Sequence, residues 1–91
     1  MKRFIPKKIL FSKDDFFVAF GDWRETGNDK RNILGVRWSN FPGGNGREKL
    51  WVVLHWDLTI PVLTNLIGLE GTNSEDTMKI LNKMCKLKKQ Q

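Results

Sequence analysis

Apolar residues in this chain follow two rhythms, and the change from one to the other falls near residue 58. Before it they come in short runs rich in Phe, Trp, Val and Ile. After it they recur every three to four positions. The first rhythm predicts strands over Phe4 to Phe11, Phe16 to Trp23, Ile33 to Trp38 and Lys49 to Trp56. Pro6 suits the first of these to a sheet edge, because proline cannot donate to a central ladder. Three polar stretches separate the strands: the turn Ser12 to Asp15, the segment Arg24 to Asn32 with its Gly27-Asn28-Asp29, and the loop Ser39 to Glu48 containing Pro42-Gly43-Gly44-Asn45-Gly46. None has room for a crossover helix, so three to four strands in meander order form an antiparallel sheet.

The second rhythm predicts two helices. Thr59 is the expected cap of the first, Pro61 is tolerated in its first turn, Ile60, Leu63, Leu66 and Ile67 line one side, and Gly71 ends it. Thr72 followed three residues later by Glu75 has the spacing of a capping box for the second. Glu75 and Asp76 stand in its first turn and lysines in its last, the arrangement that the helix dipole favours. Met78, Leu81 and Cys85 make a stripe, with Ile80, Met84 and Leu87 beside it. The expected fold is therefore α+β, an antiparallel sheet followed by two C-terminal helices packed on one of its faces.

Alternate residues of a strand point to opposite faces, so the pattern also says which face the helices take. Leu34, Val36 and Trp38 in the third strand, with Leu50, Val52, Leu54 and Trp56 in the fourth, form a uniformly apolar set that suits the helix side. The second strand offers Phe16, Val18, Phe20 and Asp22 on one face against Phe17, Ala19, Gly21 and Trp23 on the other. The remaining face is mixed, with Ile33, Arg37, Trp51, Val53 and His55. With both helices committed elsewhere, that second face calls for a cover: the N-terminal segment, the loops, another copy of the chain, or a ligand.

Composition narrows the picture. Ninety-one residues fit one domain, 1–91, which buries only about 60–65% of its unfolded surface and so has a thin margin of stability. The single cysteine, Cys85, cannot form a disulfide within the chain, and a chain this small without a disulfide framework fits a reducing, cytoplasmic setting. Leu50 to Leu69 is the one stretch apolar enough to suggest a membrane span, but Asp57 near its centre and the change of period argue against spanning. No apolar core of a signal peptide follows Met1-Lys2-Arg3.

Net charge is +6, and it sits at the ends. The basic N-terminal segment 1–8 (Lys2, Arg3, Lys7, Lys8) and the tail 83–91 (Lys83, Lys86, Lys88, Lys89) contain no acid and together hold +8, against −2 for the rest. These eight side chains are the candidate phosphate contacts, since lysine and arginine release counterions from a phosphate backbone. The plain alternative is that basic ends keep a small domain soluble.

Chemistry-bearing motifs are few. His55, the only histidine, lies two residues from Asp57, a spacing open to a His–carboxylate pair with His55 as base, although a strand histidine is more often structural. One histidine and one cysteine cannot build a structural zinc site, and no cofactor motif is present. Gly43-Gly44-Asn45-Gly46-Arg47 lacks the lysine and the following helix of a phosphate-binding loop.

Three functions fit. The first is a non-enzymatic accessory protein of the kind that phages and other mobile elements carry, homodimeric and meeting a protein partner through the second sheet face and the 39–48 loop. Trp23, Arg37, Trp51, His55, Asn45 and Arg47 are its candidate contacts. The second is a nucleic-acid binder that stacks bases on the sheet aromatics and holds phosphate with the basic ends, without the element order or motif of an RNA-recognition domain. The third is a small-ligand binder or enzyme centred on His55 and Asp57.

Overall fold

The computed structural model describes residues 3–38 and 51–89. Strands β1 (Arg3–Lys13), β2 (Phe16–Arg24), β3 (Lys30–Trp38) and β4 (Val52–Val53) form one antiparallel sheet in the order β1-β2-β3-β4, followed by helices α1 (Thr59–Leu66) and α2 (Ser74–Lys89). The fold is the expected α+β meander with two C-terminal helices. Lys13 pairs with Phe16 across a two-residue turn in which Asp14 and Asp15 both have positive φ, the tight hairpin geometry whose twist matches the strands.

The helices cover the predicted face. Leu10, Val18, Phe20 and Leu34 from the sheet pack with Leu63 and Leu66 of α1, and Ile80, Leu81 and Met84 of α2 close over them. The stripe of α2 that turns inward runs Thr77, Ile80, Leu81, Met84, while Met78 and Leu87 stay exposed and Cys85 is half-buried. One sheet and one helix layer make a slab, 40 × 37 × 17 Å in its Cα extents. The other sheet face has no second layer of secondary structure among the described residues. It holds a smaller cluster of its own: Phe4, Ala19 and Ile33 buried, with Trp23, Trp51 and Val53 against them.

Strict alternation would send Phe4 and Leu10 to the same side, yet they lie in opposite clusters. Of two register shifts in β1, the one between Pro6 and Lys8 reverses the pleat and the one between Ile9 and Phe11, at Leu10, restores it; together they bend the strand. The bend needs glycine in its neighbours. A Cβ on Gly21 would stand 2.1 Å from the Ile5 carbonyl oxygen, and one on Gly35 would stand 2.7 Å from the Phe4 ring. The Phe4 ring therefore lies over the glycine of β3, and the N-terminal part of the chain supplies part of the second face's cover.

A third irregularity, between Gly21 and Trp23 in the β2–β3 ladder, places Asn32 at φ 62°. Asp22 ties it down. One carboxylate oxygen accepts from the Asn32 backbone N–H at 3.1 Å, and the other lies 2.9 Å from Lys7 Nζ and 3.9 Å from Arg24. The bulge residue of β1 and the bulge of β3 thus share one carboxylate, only 2% exposed. Burial raises the pKa of Asp22, but the hydrogen bonds from Lys7 and Asn32 and the charges of Lys7 and Arg24 outweigh it, so the net shift is downward.

Four local expectations are corrected. Within the described residues the fourth strand is Val52–Val53 rather than Lys49 to Trp56, and residues 56–58 turn into a 3₁₀ helix, which removes Trp56 and Asp57 from the strand pattern. Thr59 does not cap α1: it is the first helical residue, 1% exposed, and its hydroxyl has no hydrogen-bond partner. The helix stops at Leu66 instead of reaching Gly71, because Gly68 and Gly71 take φ of 90° and 95° and Thr72 Oγ1 donates to the Leu66 carbonyl. The cap of α2 moves one residue along, to Asn73, whose Oδ1 accepts from Asp76 N–H at 3.2 Å while its Nδ2 donates to the Asp76 carboxylate at 2.7 Å.

Candidate functional site

The α1–α2 connection determines which surfaces remain open. It runs back along the outer edge of β1: Ser12 N–H donates to Gly71 O at 3.0 Å, Asn73 N–H donates to Leu10 O at 2.7 Å, and Phe11 bridges Thr72. The rest of that edge carries Pro6, Lys7 and Lys8 and its bulges, all of which deter a further strand from pairing. The available surface is the second face of the sheet.

Four candidates meet there. Trp23, Arg37, Trp51 and His55 come from β2, from β3 and from residues on either side of β4, and Arg37 sits opposite Phe17 in register. Trp51 packs on Phe4 with ring centroids 5.3 Å apart, and the Arg37 guanidinium lies 5.7 Å from the Trp51 ring. The buried Nε of Arg37 has no hydrogen-bond partner. A guanidinium over an indole face gains from the ring's quadrupole, roughly 0.5–1 kcal/mol at a half-exposed site.

A second ring–cation pair lies further along the face, and sequence reasoning missed it. Lys30 Nζ stands 5.0 Å over the Trp56 ring, and the His55 ring stacks on Trp56 at 3.9 Å. With Trp23 these residues wall a cleft of about 350 Å³ floored by Ile33, Val53 and Leu54, with Asn28 at its rim. Strand alternation places Trp56 on the helix side. The 3₁₀ turn takes it out of the strand, 55% exposed, where it lines both this cleft and the helix-side groove. Lys30 could have been found from the register opposite Trp23, which only the tertiary pairing supplies. The cleft's polar groups are the Lys30 ammonium, its one formal charge, the Asn28 amide and the His55 ring. Glu25 is tied to the wall, accepting from Trp23 Nε1–H at 3.1 Å.

His55 and Asp57 serve the backbone. His55 Nδ1 accepts from Asp57 N–H at 3.1 Å and so caps the 3₁₀ turn, while the Asp57 carboxylate lies 3.8 Å away. An Nδ1 that accepts a backbone proton leaves Nε2 to carry the ring's hydrogen in the neutral form. Both side chains are exposed, and they open onto different depressions: His55 onto the cleft, and Asp57 onto a helix-side groove of about 620 Å³ with Arg31, Thr59, Met84 and Lys88. Among the described residues no group of three His, Cys, Asp or Glu side chains could hold a metal ion.

The basic ends are dispersed. Lys7 is paired with Asp22, and Lys8 with Asp76 at 3.1 Å. Arg3 stands opposite Arg24 at the start of β1. Lys83, Lys86 and Lys88 are exposed on α2, in the helix layer. Lys2, the whole segment 39–48 with Asn45 and Arg47, and the Lys89 side chain lie outside the described residues. Among the described residues no helix is long and apolar enough to cross a membrane.

No protein-family model matches the chain, and neither a curated protein nor a solved structure is significantly similar to it.

Proposed function

We propose that this chain is a non-enzymatic binding module that holds single-stranded nucleic acid on the sheet face opposite its helices. The observation that carries the reading is the pairing of rings with cations on one face: Arg37 over Trp51 and Lys30 over Trp56, with Trp23 between β2 and the cleft. Bases stack on such rings without regard to sequence, and the adjacent cations meet phosphate. Net charge of +6 adds long-range attraction for a polyanion. The same cations weigh against a homodimer closed through this face, because it would bury Lys30 and Arg37 of both copies. Part of the apolar area that a dimer would bury is already covered by Phe4 and Trp51.

The test is a titration with mixed-sequence single-stranded and duplex oligonucleotides, followed by tryptophan fluorescence at two salt concentrations. The expected result is quenching by the single strand, with log K falling against log salt by roughly 0.7 per phosphate contact. No binding at low salt would refute the reading.

A second reading has its own observation. Trp38 and Val52 are 53% and 64% exposed at the ends of β3 and β4, flanking residues 39–50. Large exposed apolar side chains on two neighbouring strands suit a protein partner or a second copy docking at that end of the sheet. A dimer mass that survives high salt, and is lost in Trp38→Ser, would favour it.

A further inference from the structure

The geometry points to the Trp23–Trp56 cleft as a subsite for one nucleotide unit, its flat base taking the place of the Lys30 ammonium over the Trp56 ring and its phosphate drawing that ammonium aside. This rests on the reading above and specifies where the strand is anchored. Three features select this occupant. The walls are rings, Trp23, Trp56 and His55, over an apolar floor of Ile33 and Val53, so the ligand presents a flat, apolar surface. The Lys30 ammonium is the one formal charge among the lining residues, so the ligand presents negative charge. The volume, about 350 Å³, is at the small end of ligand sites and matches a single ring with its attached group rather than a folded surface.

Lys30 also excludes the opposite occupant. Rings of this kind otherwise favour a cation, but the Trp56 face already has an ammonium 5.0 Å from its centroid, and a second positive charge would be repelled. His55 adds to the selection: its Nδ1 is engaged by the Asp57 N–H, which leaves Nε2 as its remaining polar atom for a ligand.

The protein reports on this itself through its four indole N–H groups, from Trp23, Trp38, Trp51 and Trp56, each of which gives one amide-type signal in a nitrogen–proton correlation spectrum. Trp38 packs on Phe16, on the side of the sheet that the helices cover, and serves as the internal control. The probes are a nucleoside monophosphate at millimolar concentration and a mixed-sequence single-stranded oligonucleotide. We expect the Trp23 and Trp56 signals to move with the oligonucleotide while Trp38 stays in place. Trp56→Ala should weaken the oligonucleotide by roughly 5- to 150-fold, the range for losing one stacked base, and Trp56→Phe should restore most of it. Lys30→Gln should lower the salt slope by roughly 0.7. If the monophosphate moves the same two signals, a free nucleotide suffices; if only the oligonucleotide does, the unit must come within a strand. Both results place the ligand in the cleft. Binding that moves Trp51 alone, with Trp56→Ala unchanged in affinity, would overturn the cleft and leave the nucleic-acid reading intact. Absence of oligonucleotide binding at low salt would overturn both. An unchanged urea unfolding midpoint in each variant shows that the fold is kept.

Discussion

Substituting Gly35 by alanine sets a methyl group 2.7–2.9 Å from three carbons of the Phe4 ring. Carbon atoms rest about 3.5–4.0 Å apart, so the ring must retreat by roughly 1 Å or leave. Phe4 stands near the start of an edge strand, so the most the clash can do is expel its ring from its place against Trp51; that outcome sets the ceiling on the cost. A ring that leaves forfeits its burial, about 1.5–3 kcal/mol for an aromatic side chain. Alanine recovers about 0.5–1 kcal/mol over glycine within a strand. Gly35→Ala should therefore lose about 0.5–2.5 kcal/mol. In a Phe4→Ala background the clash disappears, and the same substitution should be neutral or stabilising by about 0.5 kcal/mol. The coupling between the two positions should then be about 1.5–3 kcal/mol, well above the few tenths seen between independent sites. Urea unfolding followed by tryptophan fluorescence measures all four corners of this cycle. Gly21→Ala is the contrast: its clash is with the Ile5 backbone oxygen at 2.1 Å, which Phe4→Ala cannot relieve. If Gly35→Ala cost the same in both backgrounds, Phe4 would not lie over β3, and the account of how the second face is covered would fail.

Three further outcomes follow from the same contacts. Asp22→Asn should cost about 1–3 kcal/mol at neutral pH, the range for hydrogen bonds to a charged group, and not more, because the Lys7 side chain is 57% exposed and regains water. The Asp22 pKa is lowered by folding, so its stabilisation is complete above the unfolded carboxylate value of about 3.9 and fades as pH falls toward the folded one; urea midpoints of wild type and Asp22→Asn should converge in acid. Asn73→Ala should lose about 1 kcal/mol as a helix cap while Glu75→Ala, whose exposed side chain pairs only with Lys79 at 3.3 Å, loses a few tenths; equal costs would return the cap to Thr72 and Glu75. Arg37→Gln should weaken single-strand binding severalfold with little change in the unfolding midpoint, whereas Lys7→Gln should do the reverse, since Lys7 is committed to Asp22.

The sheet, its order and the face taken by the helices were legible because each rests on local periodicity: Leu34, Val36 and Leu54 announce one side, Ile33 and Val53 the other. What was not legible depends on breaks in that periodicity. The bulges at Lys7 and Leu10 reverse the pleat of β1 and restore it, and nothing in Arg3 to Lys13 alone distinguishes a bulged strand from a straight one. The reason for the bulge lies across the sheet, in a carboxylate on β2 that satisfies backbone on β3 and an ammonium on β1. Asp22 read as a polar interruption of an apolar face; it is a buried tie between three strands. The Trp51–Arg37 part of the face could be read by counting in twos, but Trp56 could not, because a three-residue turn after β4 breaks the count where the cleft begins.

The charge of this chain misleads if it is read along the sequence. Eight cations crowd the two ends, yet in the fold Lys7 and Lys8 are spent on Asp22 and Asp76, and Lys83, Lys86 and Lys88 lie in the helix layer, away from the aromatic face. The cations beside the rings, Lys30 and Arg37, come from the segment whose formal charge is negative overall. Removing the terminal lysines of α2 should therefore reduce the attraction of a polyanion from a distance, seen as a slower, salt-dependent association, without changing which indole signals move on binding. Neutralising Lys30 or Arg37 should change the contacts themselves. The distinction separates a protein that is merely basic from one that carries a site, and it turns on two residues that net charge does not single out.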